Sequence, residues 1–304
     1  MNPLPDRTVI IIFFIAGLSS ISAIPPDDLR ISKTPWKIWE QEERIEELQL
    51  NPSHIAVNSF GDVILLDNDS YNLVVVTAQG EIYLSGGWGL EEERFSYPTD
   101  LTISSGLDVF LCDQASDRIL RYDRKLNFIT DIDLSALQPT TVELPLHIAV
   151  NGLGEMIVSV TEAWELYLLN ADKKHITRFG GITYGEDRFG EIADIAVNDR
   201  LTIAVVDRGN NLLSLLSRFG TVLQTIPLPE ENIIGVESWQ EGWLIASMKG
   251  SLYYLPHGER DFSLIETSLI HIIDLDPLTD FRIIDNQVLA VNGSVVTCRL
   301  IIHE

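Results

Sequence analysis

Basic residues are scarce in this sequence. Its 304 residues include 21 Lys and Arg against 45 Asp and Glu, which gives a formal net charge of −24. A surface this acidic repels phosphate backbones and anionic lipid headgroups, because like charges dominate its long-range field. We therefore expect no nucleic-acid partner.

Cysteine is nearly absent, with only Cys112 and Cys298 in the chain. Two cysteines in a chain of this length exclude a scaffold stabilised by many disulfides. The repeat register described below separates the two residues by one blade, so we expect two buried free thiols. A single structural disulfide is the alternative.

Long apolar runs are also missing. The longest begins after Arg7, extends from Val9 to Leu18 and is followed by small residues up to Ala23. It is short for a membrane span and has the pattern of a secretory signal peptide. We predict a signal peptide at 1–23, a linker at 24–35 and a mature chain that is extracytoplasmic (periplasmic or secreted), without membrane insertion. An uncleaved anchor is the alternative.

The common catalytic motifs are lacking as well. The sequence contains no Gly-x-Ser-x-Gly, no phosphate-binding glycine loop, no Cys-x-x-Cys and no His-Glu-x-x-His. Each of these motifs supplies a nucleophile, an anion site or metal ligands at a fixed spacing. The enzyme classes that they define are therefore not indicated.

What the sequence does contain is an internal repeat. Apolar runs of five residues recur with spacings of 40–47 residues between their ends: Val63–Asp67, Val109–Asp113, Met156–Val160, Ile203–Asp207, Trp243–Ser247 and Val288–Asn292. Each run is preceded by an apolar strand and a tight turn, and is followed by a polar turn and two further strand patterns. Four short strands per repeat at this period predict the blades of a β-propeller.

The second repeat carries a family resemblance. Its segments Pro98–Ile103, Asp108–Asp113 and Asp117–Tyr122 resemble an NHL-type repeat, which runs from Pro through an apolar strand and a glycine turn to "V-A-D" and "N-R-I". The first, third and fourth repeats are similar, whereas the fifth and sixth match only by spacing. The resemblance covers 51–302 and implies a scaffold rather than a reaction.

The sixth repeat is one strand short. Because the chain ends after Val295–Leu300, we predict that the alternating segment Trp36–Glu40 supplies the missing outer strand and closes the ring. The sequence thus predicts an all-β, six-bladed propeller of four-stranded antiparallel blades at 36–304, whose last blade is closed by the N-terminal strand.

Candidate site residues lie where inner strands begin, at the mouth of the central channel. These positions read His54, Asp100, His147, Asp194, Ile234 and Asp280. Imidazoles and carboxylates are good metal ligands, so all but Ile234 form a candidate ligand-binding or cation site. The competing interpretation is structural, because Asp after Pro-x bonds backbone groups in such repeats.

Zinc-dependent lyases on similar propellers carry histidine directly after the proline of the blade. Here the residues after Pro52, Pro98 and Pro145 are Ser, Thr and Leu, and the histidines come one place later. One residue along a strand moves a side chain to the opposite face, so that zinc site does not transfer. Loop aromatics (Trp88, Tyr97, Trp164 and Tyr184) are further candidates for recognition.

The sequence favours an exported, non-enzymatic, monomeric binding or interaction scaffold whose ligand is an unidentified protein or small molecule. The alternative is a metal-dependent hydrolase or lyase that uses the channel-mouth His/Asp site. No cofactor is firmly implied, and a divalent cation in the central channel belongs to the alternative.

Overall fold

Short antiparallel strands make up almost all the regular structure. A computed structural model describes residues 29–31, 50–137, 142–161, 163–173, 176–180, 188–266, 277–284, 286–291 and 295–302. For 29–31, 266 and 295–302 it describes the backbone alone. The predicted signal peptide, Trp36–Glu40 and Tyr184 lie outside these ranges. Within the described residues, no helix is long and apolar enough to cross a membrane.

Five blades each contain four strands that are consecutive in the chain and adjacent in space. After an N-terminal strand, β1 (Leu29–Ile31), the strands of these blades are β2 (His54–Val57), β3 (Val63–Asp67), β4 (Asn72–Val76), β5 (Ile82–Gly86); β6 (Pro98–Ile103), β7 (Val109–Asp113), β8 (Arg118–Tyr122), β9 (Phe128–Asp133); β10 (Pro145–Val150), β11 (Met156–Val160), β12 (Glu165–Leu169), β13 (Ile176–Gly180); β14 (Ile192–Val197), β15 (Ile203–Asp207), β16 (Leu212–Leu216), β17 (Val222–Pro227); β18 (Ile233–Trp239), β19 (Gly242–Ser247), β20 (Leu252–Leu255) and β21 (Ser263–Glu266).

A sixth four-stranded sheet is assembled from both ends of the chain. It contains β22 (Asp280–Ile284), β23 (Gln287–Val291), β24 (Val295–Ile302) and then β1 at its edge. One short 3₁₀ turn, Gln114–Ser116, follows β7. The prediction of an all-β propeller of four-stranded antiparallel blades is confirmed. Five blades, rather than six, are built entirely from strands that are consecutive in the chain.

The position of the closing strand differs from the prediction. Leu29 pairs with Ile302 and Ile31 with Leu300, so β1 lies inside the stretch that was predicted to be a linker. Leu29-Arg30-Ile31 has the same apolar–charged–apolar alternation as Trp36–Glu40, but over three residues only. Such a short alternation is a weak strand signal, and the longer segment Trp36–Glu40 matches the strand pattern over more residues.

The core lies between the blades. Every residue of β3, β7, β11 and β15 is buried, whereas the fourth strands β9, β13 and β17 are partly or largely exposed. The second strand of a blade is covered on both faces by neighbouring blades, which explains its continuous apolar run. One such cluster joins Ile64 and Leu66 of the first blade to Leu101 and Leu111 of the second.

The repeated aspartates that end three of these runs hold the connections between strands. Asp67 Oδ1 accepts the backbone N–H groups of Asp69 and Ser70, and Asp113 Oδ1 accepts those of Ser96 and Tyr97. Asp207 has the same role in the fourth blade. These carboxylates have a structural role and are not available as catalytic bases.

Ion pairs link blades at the end of the propeller that holds the turns between first and second strands. Arg124 Nε lies 2.5 Å from Asp62 Oδ2, and this pair joins the first blade to the second. Arg218 NH2 lies 2.5 Å from Glu155 Oε1, which joins the third blade to the fourth. Both pairs connect a first turn to the third turn of the next blade.

Cys112 is a buried free thiol in β7, as predicted. Burial raises the pKa of this thiol well above its usual range. The side chain of Cys298 lies outside the part of the chain whose side chains are described.

Candidate functional site at the channel mouth

The five predicted site residues occupy one register position at the start of the first strands. His54 pairs with Leu66, Asp100 with Cys112, Asp194 with Val206 and Asp280 with Val291, each one residue before the end of the apolar run. His147 reaches the same level, where its backbone N–H donates to Ser159 Oγ at 3.0 Å.

The fifth blade departs from the prediction. Gly235, not Ile234, occupies the equivalent position, because a bulge between Ile233 and Gly235 pairs Gly235 with Ala246. A Cβ on Gly235 would lie 3.0 Å from both Asp194 Oδ2 and a ring carbon of Phe281. The position is therefore filled by its neighbours, and the ring carries five side chains.

Three of these side chains are aspartates that join neighbouring blades. Each accepts the N–H of the residue that follows it through one oxygen and an N–H from the next first strand through the other. All six bonds are 2.7–2.9 Å long, and the N–H donors from the next first strand are Ile148 for Asp100, Val236 for Asp194 and Ile55 for Asp280. These bonds fit the structural interpretation, although the bonded N–H groups lie on the same strand and on the first strand of the adjacent blade rather than in turns.

Two further site residues, Arg282 and Glu237, were not identified from the sequence. The NH1 of Arg282 lies 2.5 Å from Asp280 Oδ1, its Nε 3.1 Å from Glu237 Oε1 and its NH2 3.5 Å from Asp100 Oδ1. One guanidinium thus contacts carboxylates on β22, β18 and β6. With Asp194, four carboxyl groups face one cation, so the cluster carries three negative charges when every carboxyl is ionised.

Burial sets the protonation of this cluster. It raises the pKa of Asp194 to about 7 and that of Glu237 to about 8, with Arg282 opposing both shifts. The pKa of Asp100 is likewise raised well above its usual value by burial. Burial lowers the pKa of His147 to about 3, and the pKa of His54 is also lowered by burial. Both imidazoles are therefore neutral near pH 7, because a desolvated site disfavours the charged form.

Asp100, His147 and Asp194 form the closest group of potential metal ligands. One ligand atom from each lies within 4.8 Å of the other two. His147 Nδ1 is 3.8 Å from Asp100 Oδ2, which is too long for a hydrogen bond. His54 does not join this group; its Nδ1 is 3.0 Å from Ser53 Oγ instead.

Both histidines open onto a pocket of about 680 Å³ at the channel mouth. Its wall comes from the ends of the first four blades and combines aromatic side chains with amide, hydroxyl and charged groups. The lining includes Tyr71, Tyr97, Trp164, Gln114, Thr161, Asp69, Glu191 and Arg208. A concave surface of this size and mixed character is typical of a small-molecule or peptide site.

A fixed loop with exposed apolar side chains stands beside the pocket. The carbonyls of Glu93 and Arg94 accept hydrogen bonds from Tyr122 Oη at 3.0 Å and Arg118 NH2 at 2.7 Å. Gly86, at φ +105°, packs on Phe95, where a Cβ would lie 2.8 Å from the ring. The same loop exposes apolar side chains at Trp88 (67%), Leu90 (73%) and Tyr97 (57%). Of the candidate recognition aromatics, Trp88 and Tyr97 are thus exposed, while Trp164 is partly buried in the pocket wall.

Solved structures with this fold include both enzymes and interaction proteins. A catalytically inactive virginiamycin B lyase from Staphylococcus aureus with quinupristin matches with a TM-score of 0.60 and 13% identity, covering 81% of this chain and 79% of that one. A streptogramin B lyase matches with a TM-score of 0.57 and 14% identity, over 82% and 83% of the two chains. A chain of a nidogen/laminin complex matches with a TM-score of 0.60 and 13% identity, over 75% and 83%.

These likenesses define the class of protein as a β-propeller. No protein-family model matches the sequence, and no curated protein matches it. At 13–14% identity the shared feature is the fold, so the activity of the lyases does not transfer with it.

Proposed function

We propose that this chain is an exported, NHL-like, six-bladed propeller that acts as a binding scaffold, with its ligand in the channel-mouth pocket. The observation that carries the proposal is the pocket itself, whose aromatic and polar wall surrounds a volume of about 680 Å³. Aromatic side chains supply contact area with little loss of side-chain entropy, and a few fixed polar groups supply orientation.

The sixth sheet supports the six-bladed form of the proposal. Its Asp280 accepts the N–H of Ile55 in the first blade at 2.9 Å. Ile55 also packs in one buried cluster with Leu289 and Val291 of β23. These contacts are of the same kind as those between the other blades, so we assign the sheet as the blade that closes the ring.

The chemistry of the ring favours binding over catalysis. Its three aspartates already accept two backbone hydrogen bonds each, and Arg282 neutralises part of the charge. The hydroxyl next to His54 has two partners, His54 Nδ1 at 3.0 Å and the Leu66 carbonyl at 3.2 Å. A nucleophile needs a base that removes its proton, and here the Leu66 carbonyl competes with the imidazole for that proton.

The charges at the pocket narrow the ligand class. Asp69 and Glu191 contribute carboxylates to the wall, Arg208 is paired with Glu191, and both histidines are neutral near pH 7. An anionic ligand would meet net repulsion here, in keeping with the charge of −24 on the whole chain. The pocket therefore suits a neutral or cationic polar molecule, such as a sugar or a basic peptide.

A matched pair of exposed aromatic residues tests the proposal. The mature protein is screened by thermal shift against monosaccharides, disaccharides and short basic peptides, and hits are measured by calorimetry. Tyr97→Ala should weaken binding of a hit at least about tenfold, since aromatic contacts are worth ~1.4 kcal/mol or more at recognition sites. Phe219→Ala removes a similarly exposed ring at the other end of the propeller (69% against 57%) and should leave affinity unchanged. Equal effects of the two substitutions, or none, would refute binding in the pocket.

A metal-dependent hydrolase or lyase remains the second candidate. The convergence of Asp100, His147 and Asp194 favours it, and the fold hosts lyases in other proteins. One measurement distinguishes the enzyme from the scaffold. An enzyme of this kind converts a ligand of the pocket to product, and the reaction stops when a chelator removes the metal.

A further inference from the structure

We infer that Asp100, His147 and Asp194 bind one divalent transition-metal ion, such as Zn²⁺ or Mn²⁺, next to the channel-mouth pocket, which His147 lines. The inference deepens the proposed function. It rests on that function in one respect, which is that the ion reaches its ligands through the proposed binding pocket. The proposed ligand set contains three of the five ring side chains and leaves out His54 and Asp280.

The donor atoms suit such an ion. Two carboxylates and an imidazole form a nitrogen–oxygen set of the kind that zinc and manganese accept. The three atoms lie within 4.8 Å of one another, and bonds of about 2.0–2.2 Å in a tetrahedral arrangement place ligand atoms about 3.3–3.6 Å apart. The group therefore needs to close around the ion, by at most about 1.5 Å for any pair of ligand atoms.

The hydrogen bonds to the carboxylates leave room for a metal. Asp194 accepts one N–H on each oxygen, from Ile195 and Val236, both at 2.8 Å. A carboxylate oxygen has two acceptor sites, so each oxygen retains one. Backbone N–H groups of this kind fix a ligating carboxylate in orientation, as outer-shell partners do in metal sites.

The charge balance requires further positive charge. Arg282 is closest to Asp280 and Glu237, and within the described residues no cation forms an ion pair with Asp194. Three uncompensated negative charges in a buried cluster are costly, and one divalent ion would reduce them to one. Protons are the competing source of charge, and the experiment separates the two.

The two histidines provide a matched test. The purified mature protein is stripped with a chelator, dialysed and titrated at pH 8 with Zn²⁺, and separately with Mn²⁺, by calorimetry and by thermal melting. We expect one equivalent to bind and raise the melting temperature, since a ligand that binds only the folded state stabilises it. His147→Gln should weaken binding at least 100-fold, whereas His54→Gln should leave affinity and stoichiometry unchanged.

Three results would overturn the inference. These are no stoichiometric uptake at pH 8, equal weakening by the two substitutions, or binding that survives in His147→Gln, which would indicate adventitious surface sites on an acidic protein. His147→Gln is suited to this purpose, because the bond to Asp100 uses the backbone of Ile148 and not the imidazole. Ligand binding at Tyr97 is measured without added metal, so failure of this inference is distinguishable from failure of the proposed pocket.

Discussion

Replacing Arg282 with methionine tests the electrostatic balance of the channel. Methionine keeps much of the length of the side chain but removes the guanidinium, which contacts three carboxylates and the carbonyl of Phe281. The Arg282 side chain is 14% exposed and that of Asp280 is 8% exposed, so water replaces few of the lost interactions.

The expected loss is large for a single substitution. Removing one partner of a buried ion pair costs about 3–5 kcal/mol, because the other charge stays desolvated and unpaired. The matched control is Arg200→Met, whose pair with Glu241 is 49% and 44% exposed. Exposed pairs contribute about 0–1 kcal/mol, so the unfolding free energy of this control should be close to that of the wild type.

Urea unfolding of chelator-treated protein, followed by tryptophan fluorescence, measures both losses. At pH 7.5 we expect Arg282→Met to lose at least about 3 kcal/mol of unfolding free energy. At pH 5.5 the loss should shrink, because the carboxylates left without a cation take up protons. A loss below about 1 kcal/mol, or one that is the same at both pH values, would refute the assigned role of Arg282.

Two further outcomes follow from the same geometry. Between pH 6.5 and 8 the unfolding free energy of metal-free protein should fall as pH rises, and the fall should be smaller in Glu237→Gln. The pKa values of Asp194 (about 7) and Glu237 (about 8) exceed their values in the unfolded chain, so the folded state binds more protons at these groups. The two histidines contribute little above pH 6.5, because they are neutral in the folded state and largely neutral in the unfolded state. Urea unfolding at a series of pH values measures this dependence, and an unfolding free energy that stays constant or rises with pH would contradict this protonation scheme. Deleting residues through Ile31 should lower the melting temperature or cause aggregation relative to deletion through Ala23, because it removes β1 and uncovers the edge of β24; equal melting temperatures would show that β1 does not protect that edge.

The repeated apolar runs were sufficient to predict the blades. A strand buried on both faces has to be continuously apolar, so Val63–Asp67 and its copies were visible without tertiary information. The ring positions also followed from the register, except in the fifth blade. There Gly235 follows the same kind of bulge that precedes Asp100 and Asp194, and aligning Ile233-Ile234-Gly235 with Ile192-Ala193-Asp194 places Gly235 rather than Ile234 at the ring.

The charges inside the channel were not predictable in the same way. Glu237 and Arg282 lie two residues beyond their ring positions, on strands whose neighbouring residues are mostly apolar. Their meeting depends on how far two long side chains reach across the axis, which a single repeat does not encode. The pocket was missed for a similar reason, because its lining comes from the loops of four blades.

Over the first four blades, the bonds that carboxylates make between blades alternate between the two ends of the propeller. Asp100 joins the second blade to the third at the ring. The pairs Asp62–Arg124 and Glu155–Arg218 join the first to the second and the third to the fourth at the opposite end. The junction of the fourth and fifth blades is held at both ends, by Asp194 at the ring and by the Arg200–Glu241 pair at the opposite end. A force that spreads one end would therefore be resisted by these bonds at some of the first three junctions only, whereas the junction of the fourth and fifth blades resists opening at either end.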